Sequence, residues 1–222
     1  MYDAGVKAVT FQAPKQIRCE SVRDATVAEP TDVVVRVEVA AICGSDLHVW
    51  RGHETGLDEG TVLGHEFLGE VVAAGRGVER FSEGMRVVAP FTTSCGKCYY
   101  CARGLTCRCE RGQLFGWVQG GLGLHGAQAE YVRVPLADAT LVEVPEDAPA
   151  EEALFCGDVL STGTYTAELG DVAPGSVVAV IPARFASTRS RSIRPKPLSL
   201  LRRLPVCRRI ATAVLSPTAI QY

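Results

Sequence analysis

Short apolar runs in which every second residue is polar dominate the first 150 residues. The clearest run, residues 32–41, contains VVVRVEV, which alternates apolar and charged residues in its second half; this pattern predicts a strand with one face in solvent. Residues 5–11 and 16–20 predict an opening hairpin. Turn signals separate four further predicted strands, at residues 70–74, 86–90, 129–134 and 140–144. Many short strands and few helices favour a mainly β, barrel-like domain over residues 1–150.

The pattern changes after residue 149. Residues 150–169 carry apolar and small residues at helical spacing, which predicts a helix interrupted at the Ser161-Thr162-Gly163 triplet. Residues 177–181, VVAVI, form a continuous apolar run that is typical of a buried strand in a parallel sheet. We therefore expect residues 151–181 to begin a second, α/β unit.

Composition indicates a globular protein. The chain has 222 residues, of which 47% are apolar, enough for a sizeable core. No apolar stretch approaches the roughly 20 residues of a membrane span, and residues 1–14 lack the layout of a signal peptide. We therefore expect a soluble, cytoplasmic protein without a membrane partner.

The cysteines are grouped unevenly. In a reducing compartment, clustered thiols among the nine cysteines favour metal ligation over disulfides. The offsets of three, three and eight residues suit a tetrahedral structural zinc site at Cys95, Cys98, Cys101 and Cys109. Cys19 and Cys207 have no cysteine near them in sequence and are interpreted as ordinary small residues.

A second group of metal-ligand residues lies in the segment LGHEFLGEVVAAGRGV, residues 63–78. His65 and Glu66 stand side by side there, between Gly64 and Gly69, which let backbones pack closely. With Cys43 upstream, the pair suggests a second zinc site. The sequence therefore predicts two zinc ions per chain.

The same segment resembles the signature of zinc-dependent medium-chain alcohol dehydrogenases, because Gly64, His65, Glu66, Gly69, Gly75 and Val78 fall where that pattern requires them. Residues 42–52, ICGSDLHVWRG, are similar to the family's first zinc-ligand segment. Residues 94–109, SCGKCYYCARGLTCRC, are similar to its structural zinc lobe, which usually closes at the Cys109 position; Cys107 is then a spare thiol rather than a competing ligand. The resemblance spans residues 6–181 and implies a GroES-like catalytic domain followed by a Rossmann domain.

The resemblance also implies a ligand set for the catalytic zinc. Cys43, His65 and Asp158 would hold the ion with a fourth position open. Many relatives carry a cysteine three residues before the Ser-Thr-Gly triplet, and the aspartate here resembles the formaldehyde dehydrogenase branch. Cys156, two residues away, is the rival ligand.

Further roles follow from the resemblance. Zinc would act as a Lewis acid on an alcohol, whose hydride passes to NAD(P). Ser45 and His48 would relay the released proton, and His48 and Thr162 would contact the cofactor. Glu66 and Asp46 would support the metal, Asp46 by orienting His65. The ordinary alternatives are a turn residue at Ser45, a surface histidine at His48 and a helix N-cap at Asp46.

The last 41 residues have a different composition. Residues 182–222 hold nine basic residues and no Asp, Glu or Gly, which leaves 14 basic and 25 acidic residues in residues 1–181. No glycine-rich turn follows Ile181, so the dinucleotide-binding half is incomplete. We expect residues 182–222 to be a disordered basic tail. A frameshift close to Ile181 would produce this change, and a genuine basic extension is the alternative.

The sequence thus predicts a zinc-dependent oxidoreductase that transfers hydride between an alcohol, or an aldehyde hydrate, and NAD(P), with activity impaired by the incomplete cofactor half. The alternative is a non-catalytic zinc-binding β domain. A nucleic-acid-binding arm is disfavoured, because the tail has only Phe185 and Tyr222 as aromatic residues and no compact basic motif. The expected partner is a small alcohol or aldehyde, and the oligomeric state stays open.

Overall fold

The computed structural model describes residues 5–179. The strands are β1 (Val6–Ala13), β2 (Gln16–Val22), β3 (Val33–Ala40), β4 (Phe67–Ala74), β5 (Arg86–Val88), β6 (Trp117–Gln119), β7 (Leu122–Leu124), β8 (Tyr131–Val134) and β9 (Val142–Glu143). The helices are α1 (Gly44–Trp50), α2 (Ala137–Thr140), α3 (Ala150–Phe155) and α4 (Val159–Leu169). Most of the regular structure before residue 150 is therefore strand, as predicted.

An antiparallel five-stranded sheet in the order β8-β3-β4-β5-β9 forms the centre of the fold. β1 and β2 form the predicted hairpin, and β6 and β7 form a second, smaller one. The alternation expected in the second half of β3 is confirmed: exposure alternates from Arg36 onwards, whereas Val33, Val34 and Val35 are all buried. Thr140 ends α2 instead of opening a strand, where its hydroxyl accepts the backbone N–H of Ser94.

The main core lies against the central sheet. Phe67 on β4 and Phe115 are almost fully buried and meet edge to face, with ring centroids 5.2 Å apart. A second core cluster, around Leu68 and Val88, packs α3 against the other face of the sheet. β4 therefore has apolar neighbours on both faces and positions the residues that directly precede it.

Two glycines explain how the segment before β4 fits. A Cβ at Gly69 would lie 2.1 Å from the carbonyl oxygen of Arg36, so only glycine lets β4 approach β3 this closely. Gly64 has a φ of +95°, and a Cβ there would lie 2.8 Å from the backbone nitrogen of Gln128. The expectation that these glycines permit close backbone packing is confirmed, and it fixes His65 and Glu66 between them.

The helical region after residue 149 is interrupted, but not where the sequence suggested. α3 ends at Phe155 and α4 begins at Val159, so the Ser161-Thr162-Gly163 triplet lies inside α4. The expected break at the triplet is wrong because its hydroxyl groups find acceptors within the helix. Ser161 Oγ donates to the carbonyl of Asp158 at 2.7 Å, and no atom crowds the position of Gly163.

The predicted strand at residues 177–181 is described only as far as Ala179. Residues 177–179 are not in a strand, and Val177 is 86% exposed, so the expectation of a buried strand is wrong for this part. The described residues do not include Val180, Ile181 or the tail at 182–222, which contains Phe185, Cys207 and Tyr222. The hypothesis of a frameshift concerns this same part of the chain. Within residues 5–179, no helix is long and apolar enough to cross a membrane.

The aromatic pair provides a test of the core. Replacing Phe67 by Ala removes a fully buried ring and leaves a cavity beside Phe115, so we expect the free energy of unfolding to fall by about 3–5 kcal/mol. Urea unfolding followed by circular dichroism measures this change. The control is Ile17→Ala on β2, where the side chain is 48% exposed and the change should stay within about 0.5 kcal/mol. Equal losses in both variants would contradict the assignment of the core.

Candidate metal centres

Cys43 precedes α1 and is held there by Asp46. The backbone N–H of Cys43 donates to Asp46 Oδ2 at 2.8 Å. Cys43, not Asp46, occupies the N-cap position of this helix, so the N-cap interpretation of Asp46 is wrong. The carboxylate acts one turn further in, where it caps the helix from the third helical position.

His65 faces two carboxylates with its two ring nitrogens. Nε2 lies 3.6 Å from Asp158 Oδ2, and Nδ1 lies 3.7 Å from Asp46 Oδ1. The ring is largely buried, at 8% exposure. Nε2 therefore points at the other candidate ligands, while Nδ1 points at a carboxylate that can fix the ring orientation, as is usual for metal-binding histidines.

Cys43, His65 and Asp158 converge. One donor atom from each lies within 4.8 Å of the other two. Tetrahedral zinc with bonds of about 2.0–2.3 Å needs donors about 3.3–3.8 Å apart, and the 3.6 Å between His65 and Asp158 falls in that range. The thiol, imidazole and carboxylate of this group suit zinc.

Cys156, the rival of Asp158, does not join the group. Its thiol is buried and donates to the carbonyl of Glu152 at 3.6 Å, back along α3. Asp158 lies instead in the break between α3 and α4, where its backbone has a φ of −135° and a ψ of −67°. This irregular backbone turns the carboxylate towards His65.

The charge balance around His65 calls for a cation. Glu66 is 5% exposed and its Oε1 has no hydrogen-bond partner among the described residues. Burial, and then the negative charge of Asp158, raise the pKa of Glu66, and burial raises the pKa of Asp46. Three carboxylates and a thiol thus surround one imidazole. A divalent cation would offset this concentration of negative charge.

Ser45 and His48 both lie on α1 but are not joined. Ser45 Oγ is 3.4 Å from His65 Nε2, at the ligand group. The His48 ring is exposed and meets the His53 ring edge to face, with centroids 5.8 Å apart. In the described part of the chain no direct hydrogen bond links Ser45 Oγ to His48. A relay between them stays a prediction that requires a bridging group.

Thr162 and Gln128 support the ligand group from opposite sides. Thr162 Oγ1 donates to Asp158 Oδ1 at 3.1 Å. Gln128 Nε2 lies 3.3 Å from Asp46 Oδ2, to which it donates. Gln128 was not predicted from the sequence, because no motif links it to Asp46, 82 residues earlier.

The four predicted lobe cysteines also converge, with sulfurs within 4.8 Å of one another. Backbone N–H groups point at the sulfurs: Cys95 N–H donates to Cys109 Sγ at 3.2 Å and Cys98 N–H to Cys95 Sγ at 3.3 Å. Backbone N–H groups of Cys101 and Glu110 lower the pKa of Cys98 to about 6, whereas burial raises the pKa of Cys101 to about 12. Sulfurs that accept N–H groups at this spacing suit a closed tetrahedral zinc site.

The remaining described thiols stay apart from this group. Cys107 is half-buried and Cys19 is exposed, and neither belongs to a group of metal-ligand residues within residues 5–179. The geometry agrees with the interpretation of Cys107 as a spare thiol.

A cavity of about 730 Å³ opens beside the first ligand group. Ser45, Asp46, His65 and Asp158 are among the residues that line it, and Thr162 lines it from α4. His48 and Glu66 are not among its lining residues. A small molecule could therefore reach the Cys43–His65–Asp158 group from this side.

Residues 29–146 match the family described as the alcohol dehydrogenase GroES-like domain. The chain belongs to this family. The match covers both the segment that carries Cys43 and His65 and the four-cysteine lobe.

Two curated relatives illustrate how far the similarity extends. Medium chain reductase/dehydrogenase ucsI from an Acremonium species is 44% identical over 186 residues, which cover 82% of this chain and 62% of that protein. Zinc-type alcohol dehydrogenase B from Aspergillus flavus is 43% identical over 162 residues, covering 73% of this chain and 37% of that protein. The chain thus spans only part of the length of these relatives.

Solved structures show the same relation. Alcohol dehydrogenase TADH from Thermus sp. ATN1 is 40% identical with a TM-score of 0.71, covering 76% of this chain and 49% of that one. A short chain alcohol dehydrogenase from Escherichia coli CFT073, complexed with cofactor NADH, is 30% identical with a TM-score of 0.62 and covers 75% and 46%. The mainly β, GroES-like fold is thereby confirmed.

Asp46 provides a test of the first metal centre. Asp46→Asn removes the charge that faces His65 Nδ1 and weakens the acceptor for Cys43, so we expect zinc affinity at this centre to fall about 10–100-fold. Competition with a chromophoric chelator measures it. Asp58→Asn is the control, because Asp58 binds the backbone N–H groups of Gly120 and Gly121 and belongs to neither ligand group. Unchanged affinity in Asp46→Asn would contradict the positioning role.

The lobe can be tested by counting metal. We expect the zinc-loaded chain to release two zinc ions per chain to a strong chelator, Cys98→Ser to release one, and Cys107→Ser to release two. Atomic absorption gives the counts, and circular dichroism checks that each variant is folded. A Cys107→Ser variant that loses one zinc would identify Cys107 as a ligand.

Proposed function

We propose that this chain carries the zinc-holding catalytic half of an alcohol dehydrogenase, which transfers hydride between an alcohol or aldehyde hydrate and NAD(P). The convergence of Cys43, His65 and Asp158, two of which line an accessible cavity, carries the proposal. Membership of the GroES-like family supports it. The proposal assigns residues 1–150 to the catalytic domain and 151–181 to the start of the cofactor domain.

Cys43, His65 and Asp158 would hold the catalytic zinc, and the four lobe cysteines would hold a structural one. Zinc in the first site supplies Lewis acidity that lowers the pKa of a substrate hydroxyl. A group of three protein ligands leaves a position for substrate, whereas four thiolates leave none. The two centres therefore have different tasks, chemistry at the first and stabilisation of the lobe at the second.

The surrounding side chains would position groups and move the proton. Asp46 holds the His65 ring and the Cys43 backbone, and Glu66 adds negative charge near the metal. Ser45 Oγ lines the cavity beside His65 and would accept the proton of the substrate hydroxyl. His48 lies three residues further along α1, at the surface, and would pass the proton to solvent through a bridging group.

NAD(P) would lie on the α4 side of the cavity. Thr162 lines the cavity and His48 lies exposed on α1; both would contact the cofactor. The complex of one structural neighbour with NADH supports this cofactor class. Residues 176–222 contain no glycine, so the glycine-rich turn that holds a dinucleotide pyrophosphate does not lie among them.

Turnover by the zinc-loaded chain tests the proposal. With butan-1-ol and millimolar NAD, we expect slow formation of NADH that depends on zinc. Ser45→Ala should lower the rate about 100-fold without loss of zinc, because the first proton acceptor is removed. His48→Gln should also lower it. NADH absorbance gives the rates.

The alternative, a non-catalytic zinc-binding β domain, predicts a different outcome. A chain that holds both zinc ions but forms neither NADH from NAD nor NADPH from NADP would contradict the proposed function and support that alternative. Equal rates in Ser45→Ala and the unaltered chain would contradict the relay alone.

A further inference from the structure

The third ligand of the first metal centre, Asp158, is packed unequally on its two sides. The helix after it, α4, has no buried residue, and its Leu160 is only partly buried. The segment before it is different, because Leu154 and Cys156 are both buried in the core cluster that contains Val88. The position of the Asp158 backbone is therefore set mainly from the α3 side.

Gly157, the residue directly before Asp158, lies against the end of β5. It is buried, and a Cβ added there would lie 2.5 Å from the carbonyl oxygen of Ala89 and 3.2 Å from Val88 Cγ2. Ordinary contacts of a Cβ are 3.4 Å or longer, so this position has no room for a side chain. Only glycine lets the chain approach β5 this closely.

The strand on the other side of this contact is held firmly. Ala89 is 1% exposed and directly follows β5. β5 is an inner strand of the central sheet, in which Val88 pairs with Leu68 on β4 and with Val142 on β9. A side chain at position 157 would therefore displace its own segment instead of the strand. The displacement would be about 0.9 Å, the difference between this contact and an ordinary one.

Glycine is needed at position 157 for space and not for backbone conformation. Gly157 is not among the glycines with positive φ, so an alanine could adopt its dihedral angles. Its backbone N–H donates to the carbonyl of Leu154 at 3.1 Å, as part of the turn that ends α3. The change Gly157→Ala therefore alters mainly the distance between this segment and β5.

Building on the proposed function, we propose that Gly157 is a positioning residue, whose close contact with Ala89 sets the point from which Asp158 reaches the metal. Zinc sites keep their ligand distances within about 0.2 Å of the ideal values. A displacement of about 0.9 Å one residue before the ligand is larger than this tolerance. Even a methyl group at position 157 should therefore weaken the bond from Asp158 to the metal.

Metal affinity measures this positioning without turnover. We expect Gly157→Ala to lower affinity at the first centre about 10–100-fold, while the four-cysteine lobe keeps its affinity. The matched control is Gly163→Ala on α4, where no atom lies within 4 Å of the added Cβ, and both centres should keep their affinity. Competition with chelators gives the constants. Cobalt(II) in place of zinc distinguishes the centres by absorption, because one has four thiolates and the other has one.

A double-mutant cycle separates the positioning of Asp158 from a general effect on the fold. If Gly157 acts through Asp158, Gly157→Ala should cause no further loss of affinity once Asp158→Ala has removed the carboxylate. The same loss in both backgrounds would overturn the proposal. Equal losses at both metal centres, as in general unfolding, or unchanged affinity at the first centre would overturn it as well.

These measurements separate the positioning role from the proposed function. Metal affinity requires neither NAD(P) nor an alcohol, whereas the function is tested by zinc-dependent NADH formation. A chain that forms NADH, but whose Gly157→Ala variant keeps its metal affinity, overturns only the positioning role. A chain that shows the coupling between Gly157 and Asp158 but forms no NADH supports the positioning role and contradicts the function.

Discussion

The carboxylate of Asp46 connects parts of the site that lie far apart in sequence. It accepts the backbone N–H of Cys43, faces the Nδ1 of His65 and accepts the side-chain amide of Gln128. Asp46 contacts both the backbone of Cys43 and the ring of His65. The distance between the thiol and the imidazole is therefore set before any metal binds. Burial of the charge opposes folding, and the hydrogen bonds together with a cation at the neighbouring site offset that cost.

Local patterns were enough to predict most of the strands, the lobe cysteines and the pairing of Cys43 with His65. The alternation around Arg36 indicated β3, and the offsets of the lobe cysteines indicated their convergence, because both depend on neighbours close in sequence. The same holds for Gly64 and Gly69, whose close backbone contacts follow from the lack of a Cβ. The choice of Asp158 over Cys156 as the third metal ligand required the family resemblance, because it rests on aligning the Ser-Thr-Gly triplet with the family pattern.

Features that depend on tertiary contacts could not be predicted from the sequence. The break between α3 and α4 falls at residues 156–158, and the Ser161-Thr162-Gly163 triplet is helical, because hydroxyl groups can bond either within a helix or outside it. Gln128 reaches Asp46 because Gly64 lets the backbone at Gln128 approach closely. The cavity is lined by Val49 from α1 and by Trp117 from β6, and no local pattern relates these two residues.

The third metal donor belongs to a helix that has no buried residue. Asp158 directly precedes α4, none of whose side chains is buried, whereas Cys43 and His65 are attached to the packed β domain. A metal ion that binds all three joins the helix to that domain. Restricting the helix costs conformational entropy, which lowers the net free energy of metal binding. Ion affinity and helix order are therefore thermodynamically linked. The proposed metal centre would at the same time tether the two predicted units to each other.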